Sequence, residues 1–82
     1  MRQNTTPLIL IIDDSVLNRH VLNLLLKNAG YLTIEAENGK DGRKLALEHK
    51  PDLILLDIMM PGEDGFTTCI KLKDSLQTRE IP

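Results

Sequence analysis

Three aspartates that follow long apolar runs are the side chains best suited to metal and phosphate chemistry. Asp13 and Asp14 come directly after Leu8–Ile12, and Asp57 comes directly after Leu53–Leu56. Continuous apolar runs of this length are typical of strands buried on both faces of a parallel sheet. Because a charge is costly to bury, a carboxylate that ends such a strand needs a functional or structural reason.

The chemistry of these acids depends on how the strands are arranged. If the first and third strands are neighbours, the carboxylates converge at the edge where open α/β sheets bind ligands. Carboxylates at such a site repel one another unless a cation neutralises them. Oxygen ligands without a nearby His or Cys favour a hard cation, and Mg²⁺ is the expected ion. A carboxylate beside Mg²⁺ can attack a phosphoryl group and form an aspartyl phosphate, while the metal offsets the charge.

Each of these acids also fits a simpler structural role. Asp13 or Asp14 can help Ser15 to cap a helix that follows the first apolar run. Asp57 can be a polar residue that ends a strand. Acids follow two different strands in one short chain. We therefore favour a functional role over the alternative that both sets of acids are present by chance in structural roles.

The other chemically versatile side chains favour structural interpretations. Glu63 and Asp64 are typical of turn and cap positions rather than of metal ligands. Cys69 falls on an apolar helical face, which predicts a position in the core. His20 and His49 are expected at the surface or at helix ends, where a histidine at a helix C-terminus is favourable for the helix dipole.

The apolar pattern predicts three strand–helix units in succession. Such alternation requires right-handed crossovers and a parallel sheet with helices on both faces. Apolar residues of the first helix spread over about 200° of its surface, against roughly 100° for a usual stripe, so we expect cover from more than one side. The predicted strands are Leu8–Ile12, 31–36 and Leu53–Leu56, and the predicted helices are 16–29, closed by Gly30, then 40–49, and a last helix capped by Asp64 or Gly65.

Composition bounds the class of protein. With 82 residues, 41% of them hydrophobic, the chain is at most one small globular domain. A net charge of −2 gives no case for nucleic-acid binding, which calls for a basic patch. The stretch between Lys50 and Lys71 contains Asp52 and three further acids but no base, so we expect the site region to attract cations.

The compartment predicted from the sequence is the cytoplasm. A single cysteine cannot form an internal disulfide, which fits a reducing compartment. The sequence has no apolar run near the ~18 residues that a membrane span needs. Residues 1–7 form a polar lead-in without the apolar core of a signal peptide.

Three segments carry a family resemblance: ILIIDDS at 9–15, NG at 38–39, and PDLILLDIMMPGEDG at 51–65. From about 8 to 82 the chain closely resembles the receiver domain of two-component response regulators. The resemblance implies a flavodoxin-like fold, with a phosphoacceptor domain rather than an enzyme. It implies that a sensor histidine kinase or a phosphotransfer protein donates a phosphoryl group to Asp57.

The same resemblance implies roles for individual site residues. Asp14 and Asp57 would bind Mg²⁺ directly, and Asp13 would act through a water molecule. The backbone carbonyl of Met59 would be a further protein ligand, although Met59 and Met60 also fit simple packing roles.

The sequence departs from the family at its end. A complete receiver has five strand–helix units in the strand order 2-1-3-4-5, whereas this chain has three, in the order 2-1-3. The Ser or Thr that closes the fourth strand and the Lys that closes the fifth have no counterpart, and Lys27, Lys71 and Lys73 match neither. The resemblance therefore implies a partial, truncated receiver with impaired phosphorylation.

Two other functions stay open. With its third strand at the sheet edge, the chain is expected to pair with another chain, as a homo-oligomer or by a domain swap. It could then be a non-catalytic half-receiver that acts as a binding or assembly module through that strand. A small metal-dependent phosphohydrolase is less favoured, because that class usually carries a second acid two residues after the nucleophile, where Met59 stands.

Overall fold

The structure, a computed structural model, describes residues 6–57, 65–75, 78 and 80–82, and the structural statements below concern this part of the chain. It confirms the predicted α/β fold, a parallel sheet of three strands in the order β2-β1-β3 with the helices packed on it. The elements in chain order are β1 Leu8–Ile12, α1 Val16–Asn28, β2 Leu32–Ala36, α2 Gly39–His49, β3 Leu53–Leu56 and α3 Gly65–Asp74.

The register of the sheet aligns the ends of the strands. Ile12 of β1 lies opposite Ala36 of β2 and Leu56 of β3. Hydrogen bonding between the strands continues one residue beyond the ends of β1 and β3. Asp13 N donates to Ala36 O at 3.1 Å, and Asp57 N donates to Ile12 O at 2.9 Å. The residues that follow β1 and β3 therefore emerge together at the carboxyl edge.

The core lies between the sheet and the α2–α3 side. Leu10 and Ile12 are fully buried there against Ala46 of α2 and Leu72 of α3. Close approach of α2 depends on Gly42, where an added Cβ would lie 2.3 Å from Ile12 Cδ1. A side chain at position 42 would require Ile12 or α2 to shift, so the glycine sets the distance between α2 and β1.

Capping residues fix both ends of α1 as the sequence predicts. The Ser15 side chain accepts a hydrogen bond from Asn18 N at 3.2 Å, which satisfies one of the free amides of the first turn. At the other end Gly30 has φ +96°, a left-handed conformation that glycine adopts without strain.

The second helix begins one residue earlier than predicted. The Asn38 side chain caps the helix by accepting a hydrogen bond from Asp41 N at 2.8 Å. Gly39 is therefore the first helical residue. Lys50 ends the helix in the left-handed conformation, with φ 47°, before Pro51.

Helix α1 carries an apolar band that is wider than the face that the sheet covers. The exposed apolar residues of the helix are Val16, Leu17, Val21, Leu24 and Leu25, and no residue of Val16–Asn28, all of which are described, is buried. The breadth of the apolar band agrees with the sequence, and the expected cover on a second side stays a prediction.

The C-terminal segment is held against α3. The Thr78 hydroxyl, 1% exposed, donates to Leu72 O at 2.6 Å, and Lys73 Nζ donates to Ile81 O at 3.0 Å. The sequence pattern did not predict that this threonine is buried.

This segment also reaches the outer edge of β3. Ile54 N donates to Pro82 O at 3.0 Å, so the expectation of an unpaired edge is wrong at Ile54. Ile54, Leu56, Ile81 and Pro82 line an open apolar groove beside α3. Cys69 lines the same groove and is exposed, so its predicted core position is wrong, because the described residues place nothing over this side of α3.

No helix within the described ranges is both long enough and apolar enough to cross a membrane.

Candidate functional site

Three carboxylates meet at the carboxyl edge of the sheet, as the sequence predicted. Asp13, Asp14 and Asp57 each offer an oxygen that lies within 4.8 Å of the others. The parallel register explains this convergence, because β1 and β3 end side by side and the acids are the next residues of each strand. Asp13 is buried, Asp57 is partly buried and Asp14 is exposed.

Asp13 is held by its own carboxylate contacts. Its Oδ1 accepts from Ser15 N at 2.9 Å, and its Oδ2 accepts from Asn18 Nδ2 at 3.4 Å. The structural role left open from the sequence is therefore real, since Asp13 braces the start of α1. Each carboxylate oxygen has a further lone pair, so Asp13 can accept these bonds and still face a cation or its water.

The main chain of Asp13 has a second support, which the sequence pattern did not predict. Arg19 Nη1 donates to Asp13 O at 2.7 Å, and Arg19 Nε pairs with Glu35 Oε1 at 3.3 Å. The side chain of Arg19 is 14% exposed and that of Glu35 is 36% exposed. Arg19 thus connects the β1–α1 junction to the edge strand β2.

Asp57 faces an open cleft. The cleft has a volume of about 290 Å³ and lies between the ends of β1 and β3 and the inner side of α1. Its remaining lining is largely apolar, from Ile11, Ile12, Leu22, Leu55 and Leu56, with Asp13 at the same edge. A small group that reaches Asp57 would therefore meet the acids at one side and apolar walls at the other.

Asp52 does not belong to the site, although its sequence position suggested an acidic region. Leu8 N donates to Asp52 Oδ2 at 2.7 Å, and Asp52 N donates to Leu8 O at 2.8 Å. These bonds join the beginnings of β1 and β3. A strand rises ~3.3 Å per residue, so Asp52 lies about 16 Å along the chain from Asp57.

The remaining sequence candidates divide into two groups. His20 and His49 are exposed, as expected, and His49 lies 3.9 Å from Glu48 at the end of α2. Met59, Glu63 and Asp64 lie outside the described residues, so the roles expected for them stay predictions.

The donor set fits a hard divalent cation. An octahedral ion with ligands at 2.0–2.1 Å separates adjacent oxygens by about 3 Å and opposite ones by about 4 Å. The oxygens of Asp13, Asp14 and Asp57 fall within 4.8 Å of one another, so small side-chain rotations bring them to that spacing. The cluster contains only carboxylates, which are ligands that Mg²⁺ prefers.

The chain belongs to the response regulator receiver domain family, which matches residues 9–81. The resemblance drawn from the sequence is therefore confirmed. Receiver domains act in two-component signalling, where they interact with histidine kinases or phosphotransfer proteins and bind Mg²⁺ through acidic residues.

Curated relatives are identical to this chain at about two of every five aligned residues. Protein PilH of Pseudomonas aeruginosa is 43% identical over 74 residues, which are 90% of this chain and 61% of PilH. The polar-differentiation response regulator DivK of Brucella anthropi is 40% identical over 74 residues, which are 90% of this chain and 60% of DivK. The chain thus spans about three fifths of the length of these two relatives.

Solved receiver structures have the same fold. The N-terminal domain of a response regulator receiver protein from Methanoculleus marisnigri superposes with a TM-score of 0.91 at 38% identity, over 93% of this chain and 62% of that chain. The chemotaxis protein CheY4 of Vibrio cholerae gives 0.90 at 27% identity, over 95% of this chain and 65% of that chain. Both similarities agree with the predicted flavodoxin-like arrangement.

Proposed function

We propose that this chain is a phosphoacceptor receiver in which Asp57 accepts a phosphoryl group from a sensor histidine kinase or a phosphotransfer protein. The observation that carries the proposal is the convergence of three carboxylates within 4.8 Å at the end of β1 and β3. We assign the receiver to residues 8–82 and a lead-in to residues 1–7.

Burial and access to the cleft favour Asp57 over Asp13 as the nucleophile. Both carboxylate oxygens of Asp13 already accept hydrogen bonds, and Asp13 is only 8% exposed. Asp57 is partly buried and lines the open cleft, where a donor can approach. In the transfer a carboxylate oxygen of Asp57 forms a bond to phosphorus while the P–N bond of the donor phosphohistidine breaks, and the leaving imidazole nitrogen takes a proton.

The metal we propose is Mg²⁺, held directly by Asp14 and Asp57 and through water by Asp13. Bound there, the ion would offset the negative charge of the carboxylates and of the incoming phosphoryl oxygens. The hydrogen bonds that Asp13 already accepts fit an indirect role for its carboxylate. The direct ligation by the Met59 carbonyl rests on the family resemblance alone.

We further propose that the 82-residue chain is phosphorylated slowly when it is tested by itself. The sequence offers no residue that matches the Ser or Thr and the Lys with which receivers contact the phosphoryl group. Without those groups the charge of the phosphoryl oxygens is compensated less completely in the transition state.

A second candidate function is an assembly module. The apolar groove along the outer edge of β3, lined by Ile54, Leu56 and Ile81 among others, favours it. The occupant we propose is a second copy of this chain, either paired along β3 or exchanging an element.

Phosphorylation measured by intact mass tests the first function. The chain is incubated with Mg²⁺ and a small phosphodonor such as acetyl phosphate, and the mass increase of one phosphoryl group is followed over time. We expect slow labelling that Asp57→Asn abolishes and Asp74→Asn leaves unchanged, since Asp74 is an exposed aspartate at the end of α3. Equal labelling of the Asp57→Asn variant would contradict the assignment.

A further inference from the structure

We propose that Arg19 is a positioning residue for the acidic site, and that Glu35 holds it in place. The inference deepens the proposed function and rests on it for the identity of the metal. Its physical basis is the pair of contacts that Arg19 makes, 2.7 Å from Nη1 to Asp13 O and 3.3 Å from Nε to Glu35 Oε1.

The two adjacent acids are oriented by different contacts. The carboxylate of Asp13 is fixed by Ser15 N and Asn18 Nδ2, which both belong to the start of α1. Arg19 instead holds the carbonyl oxygen of Asp13. Because the peptide group is planar, fixing that oxygen also fixes the amide of Asp14 and the direction in which the chain leaves it. Arg19 therefore acts mainly on Asp14, the acid proposed to bind the metal directly.

The guanidinium suits this task better than an ammonium group. Its planar fork presents several N–H donors in fixed directions, so one group can bond a carbonyl and a carboxylate at the same time. The Arg19 side chain is 14% exposed, which protects both contacts from solvent more than at an ordinary surface ion pair. A lysine in the same place would keep the charge but would not present donors in fixed directions to the Asp13 carbonyl and the Glu35 carboxylate at the same time.

Glu35 has an electrostatic role as well as a mechanical one. An unpaired guanidinium next to the acids would repel a divalent cation at the site. The Glu35 carboxylate, 3.3 Å from Arg19 Nε, neutralises the guanidinium charge. Arg19 can therefore support the β1–α1 junction without repelling the metal. Since Glu35 belongs to β2, this pair also connects the site to the strand at the far edge of the sheet.

The test compares four variants of the chain. Arg19→Met keeps much of the aliphatic stem and removes the donors, Arg19→Lys keeps the charge, and Glu35→Gln removes the ion pair. Lys27→Met is the matched control, because Lys27 is an exposed cation in the last turn of the same helix. Mg²⁺ affinity is measured by isothermal titration calorimetry, and urea unfolding in metal-free buffer reports stability separately.

We expect Arg19→Met to weaken Mg²⁺ binding about 10-fold, the lower end for residues that orient metal ligands. Arg19→Lys should recover part of the affinity, Glu35→Gln should lose part of it, and Lys27→Met should leave it unchanged. Mg²⁺ affinity within twofold of the parent chain in both Arg19→Met and Arg19→Lys would overturn the proposal. If Arg19→Met fails to fold, the Arg19→Lys and Glu35→Gln variants decide.

A metal-free measurement separates this inference from the proposed function. The Asp14 amide shares a peptide group with the Asp13 carbonyl, so its ¹⁵N chemical shift reports the Arg19 contact directly. The shift should change in Arg19→Met and stay constant in Lys27→Met, whether or not Mg²⁺ binds. A parent chain that binds no Mg²⁺ would refute the proposed metal site, while an unchanged Asp14 shift in Arg19→Met would refute the role of Arg19.

Discussion

The amide of Asp57 donates a 2.9 Å hydrogen bond to the carbonyl oxygen of Ile12, so β1 and β3 stay paired up to the residues where the acids begin. Sheet hydrogen bonding thus brings the acid after β3 next to the two acids after β1. The main chain at Asp13 and Asp57 is therefore held by sheet hydrogen bonds, and mainly the side chains of these acids can still adjust.

Asp14→Asn should separate metal binding from stability. Removing one charge and one proposed ligand is expected to weaken Mg²⁺ binding at least 10-fold, or about 1.4 kcal/mol. In metal-free buffer the same change removes repulsion between carboxylates within 4.8 Å, so the urea midpoint should rise. Calorimetry and urea unfolding followed by circular dichroism measure the two effects, and a fall in the metal-free midpoint would contradict the repulsion argument.

Gly42→Ala should destabilise the fold although alanine favours helices. The added methyl group would lie 2.3 Å from the Ile12 side chain, which is fully buried and cannot move aside cheaply. Overpacking of this kind costs about 1–3 kcal/mol. Urea unfolding should show the loss, while Lys44→Ala at an exposed position of α2 should be close to neutral.

A double substitution checks the cause of that loss. Ile12→Val removes the Cδ1 atom closest to the new methyl group. Gly42→Ala combined with Ile12→Val should therefore lose less stability than the sum of the two single variants. If the stability loss of the double variant equals the sum for the two single variants, the contact with Ile12 does not account for the effect of Gly42→Ala, and its cause lies elsewhere in α2.

Asp52→Ala should reduce stability without affecting the metal site. The change leaves Leu8 N without the carboxylate that accepts its hydrogen bond at 2.7 Å, which costs about 1–3 kcal/mol. Because Asp52 lies at the opposite end of the strands, Mg²⁺ affinity should stay within twofold of the parent chain. A tenfold loss of affinity at concentrations where the variant is folded would place Asp52 within the site after all.

Association of the chain should depend on the groove beside β3. Analytical ultracentrifugation is expected to show reversible self-association that Cys69→Lys weakens, because Cys69 is exposed and lines the groove. The control is Ile70→Lys, an exposed apolar residue of the same helix that does not line the groove. A cooperatively folded monomer at all concentrations would rule out the assembly function.

The parts of the structure that the sequence predicted depend on local pattern. Unbroken apolar runs define β1 and β3, the acids that follow them define the site, and Ser15 and Gly30 define the ends of α1. Each of these signals lies within a few residues of the feature that it determines. Only one prediction joined residues that are distant in sequence: the carboxyl ends of parallel strands share one edge of the sheet, so the acids after β1 and β3 were expected to lie together.

The features that the sequence did not reveal depend on tertiary neighbours. Arg19 contacts Asp13 and Glu35 only because α1 packs across both β1 and β2 on one face of the sheet, and a single arginine in a helix does not predict such partners. Asp52 is near Asp57 in sequence but lies at the other end of the strand. Cys69 has apolar helical spacing, but the spacing does not determine whether another element covers that side of α3.

The contact between Gly42 and Ile12 also limits how these two positions can vary through evolution. A bulkier residue at 42 requires a smaller residue at 12, and the residue at 12 directly precedes Asp13. Position 42 therefore lies well away from the carboxylates in sequence yet limits which substitutions their strand can accept. Among related sequences, the sizes of the residues at these two positions should vary in opposite directions.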